Sequence, residues 1–303
     1  MVLEIRCALT LVALFVPPLY CNAAVAPRAV APNATFNSGI LKVERFGDSN
    51  ARAIVFIPAL FCGSWQWNAQ INALWKSYDL YVVTLPGFDG QAMIAGDDLM
   101  ARAAQGLDKL ITSRHLRRPV VVGHSLGGTL AVYFAQRYPN DLTNLVSVEG
   151  GYPVAPTQSA RDEQVGKSTA KYEGISQAQT GAVIRDQTLQ YTVTDTSDVD
   201  AVEPLAGRSD PAAIVAWMRA ALTLDLTPEL NRITVPFTAI IPFDPTVDPY
   251  QGFKTAAQKQ ADYTRWAANA ADGKVVLIAP SRHFVMWDQP ERFEQALETA
   301  IAR

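Results

Sequence analysis

The sequence predicts an α/β protein with a mostly parallel central sheet flanked by helices. The valine run at 120–122, which has no polar alternation, is typical of a strand covered on both faces. The spacing of Leu130, Tyr133 and Phe134 is typical of one face of a helix that follows this strand directly. The chain has 303 residues, of which 49% are hydrophobic, so it can bury a large core as one domain with insertions.

The junction between this strand and this helix reads "VVVGHSLGGT" over residues 120–129. Ser125 stands there between Gly123 and Gly127, in the pattern G-x-S-x-G of a nucleophile elbow. A turn this short strains the serine backbone, and a side chain at either glycine would collide with the neighbouring strand or helix. The pattern therefore predicts that Ser125 is a nucleophile.

A nucleophilic serine needs a base, and the chain has three histidines. His124 lies inside the elbow, and His115 lies in a basic polar loop that is typical of a solvated side chain. His283 follows the apolar run "KVVLIAP", which indicates a late strand, and precedes a terminal helix whose start Asp288 and Glu291 could cap. We therefore expect His283 to be the general base.

The acid of such a triad follows the serine and precedes the histidine in hydrolases with a parallel sheet. "ITVPFTAIIPFDPTVDPY" contains a strong strand signal in that window, and Asp244 comes directly after its apolar run. Asp244 is the favoured acid because a residue next to a strand end is held rigidly. Asp248, four residues further on, and Glu149, after the strand in "LTNLVSVEG", remain alternatives.

Two backbone amides could form an oxyanion hole. A strand at 53–57 is followed by Pro58 and the small Ala59, which would let the amide of Leu60 turn toward the serine. The second amide would belong to Leu126, directly after the nucleophile.

The order of these motifs resembles the α/β-hydrolase superfamily. The resemblance covers most of residues 40–152 and 231–303, and its stretches are "IVFIPALFCGSWQWNAQINAL", "YVVTLPGFDGQ", "PVVVGHSLGGTLAVYFAQRYP", "ITVPFTAIIPFD" and "SRHFVMWDQPERF". It implies an α/β-hydrolase fold, in which an insertion between nucleophile and acid forms a lid. The serine at 125 argues against the dehalogenases and epoxide hydrolases of the superfamily, which use aspartate there.

The predicted organisation is a hydrolase core at 37–152 and 231–303, interrupted by a mainly helical lid at 153–230. The lid contains a helix that starts at Asp210 and Pro211, and its apolar face includes Trp217 and Met218. That face must be buried against something. We expect these two side chains to line the substrate pocket, and the alternative is that they anchor the helix to the core.

The N-terminus indicates export. An apolar stretch from Cys7 to Tyr20 is too short for an ordinary transmembrane helix and is followed by small residues. This predicts a signal peptide at 1–23, a flexible segment at 24–36, and a periplasmic or secreted protein with no stable membrane anchor once the signal is removed. Cleavage after Ala23 leaves Cys62 as the one cysteine, which excludes an intramolecular disulfide.

The composition narrows the function further. The net charge is −3 and no basic stripe is visible, so nucleic acid is not expected as a partner. No spacing indicates a metal site, and the resemblance implies no cofactor. The expected activity is hydrolysis of small-molecule carboxylic esters of short to medium acyl chains by a Ser–His–Asp triad. The alternatives are an amidase, a lactonase or a lyase on the same fold, or a non-catalytic relative that binds small molecules.

Overall fold

The computed structural model describes residues 26–94 and 96–303. The signal peptide expected at 1–23 lies outside these residues and stays a prediction. Within the described ranges, no helix combines the length and the apolar character needed to cross a membrane.

Eight strands form one sheet in the order β1-β2-β4-β3-β5-β6-β7-β8. The strands β1 and β2 are antiparallel to their neighbours, and the six strands β3 to β8 are parallel. Their bounds are β1 Ala34–Ser38, β2 Leu41–Phe46, β3 Ala53–Ile57, β4 Asp79–Thr84, β5 Val120–His124, β6 Asn144–Val148, β7 Pro236–Pro242 and β8 Asp272–Ile278.

Helices lie between the strands and in the segment that follows β6. Their bounds are α1 Asn68–Leu74, α2 Leu99–Ser113, α3 Leu126–Arg137, α4 Gln158–Thr169, α5 Thr180–Ile184, α6 Gln190–Thr192, α7 Thr196–Ala206, α8 Pro211–Leu222, α9 Ala256–Ala267, α10 Val285–Asp288 and α11 Pro290–Ile301. A single π-helical turn, Arg185–Leu189, joins α5 to α6.

The apolar strands explain the layered architecture. Every residue of β3, β5 and β6 is buried, as expected for parallel strands that helices cover on both faces. The predicted fold class, a mostly parallel sheet flanked by helices, is confirmed.

The described part of the N-terminal segment contacts α1 and the sheet from Ala26 onward. The flexibility expected for residues 24–36 stays a prediction. Arg28 donates to Asn68, Ser64 and Glu44, and β1 pairs with β2 from position 34. Hydrogen bonds from a guanidinium join this segment to its neighbours, which a composition rich in Pro and Ala does not reveal.

The segment at 153–230 is mainly helical, and its helix α8 packs on the core. The helix α8 begins at the predicted Asp210 cap, whose carboxylate accepts from two backbone amides. It packs against α2, α3 and α4. Trp217 is fully buried on α8 and its indole N–H donates to the carbonyl of Pro86 at 3.0 Å, whereas Met218 is half-buried. These contacts anchor α8 to the core, and a pocket role for Trp217 and Met218 stays a prediction.

The carboxyl ends of the parallel strands meet at one edge of the sheet. The pairing of His124 with Val148, and of Val148 with Ile240, places the ends of β5, β6 and β7 side by side. The loop after β8 begins at the same edge, because Pro242 pairs with Ile278. Residues that follow these strands therefore lie at the same edge of the sheet as Ser125.

Candidate active site

Ser125 occupies the predicted junction between a strand and a helix. It follows β5 directly, precedes α3, and has a positive φ of 54° with ψ of −115°. Few residues other than glycine adopt this conformation, and here the amide of Ser125 is held by the carbonyl of Val148 at 2.8 Å. The turn presents the half-buried serine at the carboxyl edge of the sheet.

The flanking glycines are required by close backbone approaches. A Cβ on Gly127 would lie 2.3 Å from the carbonyl oxygen of Ile57 and 2.5 Å from that of Pro58. We expect Gly127→Ala to lower the free energy of unfolding by about 3 kcal/mol, because neither carbonyl can move without shifting β3. Chemical denaturation followed by circular dichroism measures this loss.

Gly166 is the matched control, since a Cβ there meets no atom within 4 Å and the residue lies inside α4. Gly166→Ala should raise stability by about 0.5–1 kcal/mol, because alanine loses less conformational entropy in a helix. Equal effects of the two substitutions would contradict the packing argument.

His283 lies beside the elbow. The buried His124 ring is 4.7 Å from the His283 ring, centroid to centroid, and its Nε2–H donates to the His283 carbonyl at 3.0 Å. Burial is the main cause that holds the pKa of His124 well below its ordinary value, so His124 is neutral. Within residues 26–94 and 96–303, no hydrogen bond joins Ser125 Oγ to His283. Such contacts are often long before substrate binds.

The carboxylate that contacts the His283 ring is that of Glu149. The Nδ1 of His283 is 2.8 Å from Oε2 of Glu149, which directly follows β6 and has a positive φ of 43°. With Nδ1 engaged, Nε2 is the ring nitrogen available to the serine. Glu149 was an alternative in the sequence analysis, and the contact that was expected for Asp244 is made by Glu149 instead.

Asp244 lies two residues beyond the end of β7 but is directed elsewhere. Its Oδ1 accepts from the amide and hydroxyl of Thr246, and its Oδ2 is 3.7 Å from Nε of Arg282. A turn in which the side chain binds its own backbone two residues on holds this carboxylate in the loop. β6 adjoins β5, whereas β7 is one strand further from the serine, so Glu149 is the better placed carboxylate.

Asp248, the other alternative, lies behind Glu149 and is bridged to it by a lysine. Lys259 on α9 is 2.6 Å from Oδ1 of Asp248 and 2.5 Å from Oε1 of Glu149. The sequence does not single out Lys259, because a lysine within "TAAQKQADYTRW" is typical of a solvated helix face. No pattern in the sequence indicates that this side chain is buried.

The charges around Glu149 keep it ionised. Burial raises the pKa of Glu149, but Lys259 and then His283 outweigh burial and hold that pKa below its ordinary value. A depressed pKa in the folded state means that ionised Glu149 stabilises the fold at neutral pH. That contribution is lost as the pH falls through the lowered value.

The loop after β3 carries one of the predicted oxyanion donors. The amide of Ala59 donates to Oε1 of Gln66, and the Nε2 of Gln66 donates to Nδ1 of His124. In the described part of the chain, the amides of Leu60 and Leu126 donate to no protein acceptor. Leu126 is the first residue of α3, where an amide has no partner inside the helix. Both amides are therefore available to a ligand.

Asp288 does not cap the terminal helix as expected. Gln289 occupies the N-cap of α11, and Asp288 instead accepts from the backbone amide of Arg282 and from the amide and hydroxyl of Thr194. These bonds fasten the loop of His283 to residues 190–195 of the inserted segment.

Further bonds join the same two parts. The guanidinium of Arg282 donates to the carbonyls of Gln190 and Val193, and the backbone amide of Phe284 donates to the carbonyl of Thr192. The insertion thus contacts the site through the region between α5 and α7. Among the described residues, no group of three or more His, Cys, Asp or Glu is arranged to hold a metal ion.

A sheet of this topology, with a strained serine between strand and helix and a histidine–carboxylate pair at the same edge, defines the class of α/β hydrolases. Residues 54–296 match the alpha/beta hydrolase family, and the chain belongs to that family.

Curated relatives span most of the fold. The chain is 24% identical over 246 residues to RutD of Yersinia enterocolitica, a candidate carbamate hydrolase, covering 78% of this chain and 86% of RutD. It is 25% identical over 189 residues to a 2-succinyl-6-hydroxy-2,4-cyclohexadiene-1-carboxylate synthase of Pectobacterium atrosepticum, covering 61% of this chain and 74% of the synthase.

Solved structures share the fold at low sequence identity. A hydrolase from Pseudomonas aeruginosa superimposes with a TM-score of 0.71 at 18% identity, over 89% of this chain and 98% of that one. A candidate aryl esterase from Burkholderia cenocepacia gives 0.68 at 19% identity, over 89% and 100%. An enol-lactonase from Burkholderia xenovorans gives 0.69 at 17% identity, over 90% and 99%.

Proposed function

We propose that this protein is a serine hydrolase that cleaves carboxylic esters of short to medium acyl chains through Ser125, His283 and Glu149. The observation that carries the proposal is the 2.8 Å contact between His283 Nδ1 and Glu149 Oε2, at the sheet edge where the elbow presents Ser125. This differs from the Ser–His–Asp triad expected from the sequence only in the identity of the acid.

The mechanism follows from these positions. Ser125 Oγ attacks the carbonyl carbon of the ester while Nε2 of His283 takes the hydroxyl proton. Glu149 orients the ring through Nδ1 and stabilises the imidazolium. The amides of Leu60 and Leu126 hold the oxyanion of the tetrahedral intermediate. When this intermediate collapses, the C–O bond breaks and the leaving alcohol takes the proton from His283.

The acyl group is then bound to Ser125. A water molecule attacks the acyl carbonyl and gives a proton to His283, which returns it to Ser125 as the carboxylic acid leaves. Each step uses only groups of this protein and water, and every proton that is taken up is returned within one turnover.

We also propose that residues 177–206 are the part of the insertion that covers the site. The proposal is supported by their bonds to Arg282, Phe284 and Asp288, which belong to or adjoin the loop that carries His283. Their buried apolar residues are Ile184, Leu189, Val193, Val199, Val202 and Ala206. An apolar cover favours acyl chains at about 0.8 kcal/mol per buried methylene, so affinity should rise with chain length until the pocket is full.

The activity test is a panel of purified substrates. Chromogenic esters of increasing acyl length, a lactone, a carbamate and an amide would be compared by kcat/KM. We expect the short and medium esters to give the highest values. The carbamate and the lactone belong in the panel because one relative, RutD, is a candidate carbamate hydrolase and one similar structure is that of an enol-lactonase. A protein that turns over none of them and binds no fluorophosphonate would contradict the proposal.

A substitution of Trp217 tests whether this side chain lines the substrate pocket or only anchors α8 to the core. Because the whole indole is buried, Trp217→Ala should lower the free energy of unfolding by about 3–5 kcal/mol, measured by chemical denaturation. The ester panel on the folded variant then decides its second role. A changed chain-length profile supports the predicted pocket wall, whereas an unchanged profile assigns Trp217 to anchoring α8. A stability loss below about 1 kcal/mol would contradict its core position.

A further inference from the structure

A buried lysine stands directly behind the candidate triad. The side chain of Lys259 is 1% exposed, and its Nζ contacts Oε1 of Glu149 at 2.5 Å and Oδ1 of Asp248 at 2.6 Å. Glu149 and Asp248 are also largely buried, with side chains 11% and 5% exposed. The cluster thus holds two carboxylates and one ammonium with little access to water.

The cluster is fixed from both sides. The Oδ2 of Asp248 accepts from the backbone amide of Asp244 at 2.8 Å, so the far carboxylate is tied to the end of β7. Lys259 is carried by α9, which packs on β7 and β8. Burying an ammonium is costly unless its hydrogen bonds are satisfied, and an apolar side chain would fill the same volume without that cost. The charge therefore needs an explanation other than packing.

We propose that Lys259, held by Asp248, is a positioning residue that fixes the orientation and the charge of Glu149 and so sets the pH range over which His283 acts as the base. This inference rests on the proposed hydrolase function, because it assigns His283 and Glu149 to the reaction.

The orientation follows from the two oxygens of Glu149. Lys259 binds Oε1, which leaves Oε2 directed at Nδ1 of His283. The hydrogen bond from an ammonium to a carboxylate is charge-assisted, so it holds Oε1 more strongly than a neutral donor would.

The charge of Lys259 acts on the histidine through the carboxylate. An ammonium close to Glu149 offsets part of the negative potential that would otherwise favour the imidazolium. Asp248 in turn offsets part of the lysine charge. Removing the lysine should therefore make His283 easier to protonate, and neutralising Asp248 should make it harder.

Other charged and titratable groups surround His283, and of these only Asp248 and Lys259 are changed in the variants. On the element that carries His283, the charged neighbour is Arg282, beside Asp244. The groups on the other elements packed against His283 and Glu149 are His124 on β5, Glu149 after β6, Asp248 after β7, and Lys259 and Tyr263 on α9.

The test measures the acid limb of the pH profile of kcat/KM for the preferred ester, in the wild type and three variants. Lys259→Met should move the midpoint of that limb to higher pH by about one pH unit, and Asp248→Asn should move it lower by up to about one. The double variant removes one charge of each sign, so its midpoint should return close to the wild-type value. Its kcat should still lie below the wild-type kcat, because Glu149 has lost the lysine that orients it.

A substrate-independent readout accompanies the kinetics. The titration of isotope-labelled histidine by NMR follows the His283 imidazole directly, and with three histidines in the chain its resonance is assigned from a His283→Gln variant. The midpoints should shift in the same directions as the kinetic limbs. This measurement reports on Lys259 even if the ester panel shows no turnover, so failure of the proposed function and failure of this inference are distinguishable.

Lys254→Met is the matched control, because the same substitution at an exposed lysine near α9 should leave the midpoint within about 0.2 pH unit of the wild type. A purely structural role would lower activity or stability in Lys259→Met and Asp248→Asn without opposite shifts. Shifts in the same direction, or none in either variant, would overturn the proposal. If Lys259→Met fails to fold, Asp248→Asn and the charge-balanced double variant still decide it.

Discussion

Replacing Ser125 with alanine is expected to lower kcat for the preferred ester by about four to six orders of magnitude. The acyl-enzyme cannot form without the hydroxyl, and the residual rate comes from the oxyanion donors and from substrate binding alone. Because the alanine methyl is smaller than the serine side chain, KM should change little. Initial rates over a range of ester concentrations separate these two parameters.

Labelling provides the control for this variant. A fluorophosphonate should add one probe mass to the wild type by intact-mass analysis and none to Ser125→Ala. Ser38→Ala is a matched substitution, since the buried Ser38 ends β1 at the edge of the sheet and donates to the carbonyl of Gly106 on α2. It should retain full labelling. Labelling that persists in Ser125→Ala would assign the nucleophile to another residue.

The sequence predicted those parts of the site that depend on backbone geometry. The elbow could be found because a short turn from strand to helix leaves no room for a side chain on either side of the serine. The close approach of the β3 end to Gly127 agrees with this requirement. The layered fold could be predicted because the uniformly apolar strands require cover on both faces.

The acid could not be chosen from the sequence, because several residues follow parallel strands at the same edge. Which carboxylate reaches His283 depends on strand order and on side-chain direction. β6 lies next to β5 in the sheet although the two elements are separated by α3, and Asp244 is turned away by Thr246. The charge cluster behind Glu149 was missed for a related reason, since local composition does not show that Lys259 is buried.

Glu149→Gln is the second substitution with a large expected effect, a loss of about 10⁴ in kcat. Glutamine has nearly the same size, but it carries no charge to stabilise the imidazolium. Its amide can also present an N–H to Nδ1 of His283, which favours the tautomer that cannot accept the proton of Ser125. The loss should appear in kcat rather than in KM, because Glu149 contacts the histidine and not the substrate.

Comparison with Asp244→Asn decides which of the two carboxylates is the acid of the triad. The side chain of Asp244 binds Thr246 in its own loop, so its neutralisation should cost less than about tenfold in kcat. Circular dichroism and thermal melts would establish that both proteins are folded, which matters for Glu149→Gln because Lys259 then loses one of its two carboxylates. A large loss in Asp244→Asn with near wild-type activity in Glu149→Gln would return the role of the acid to Asp244. It would also mean that the loop after β7 rearranges when substrate binds, because Asp244 could then reach His283 only by releasing Thr246.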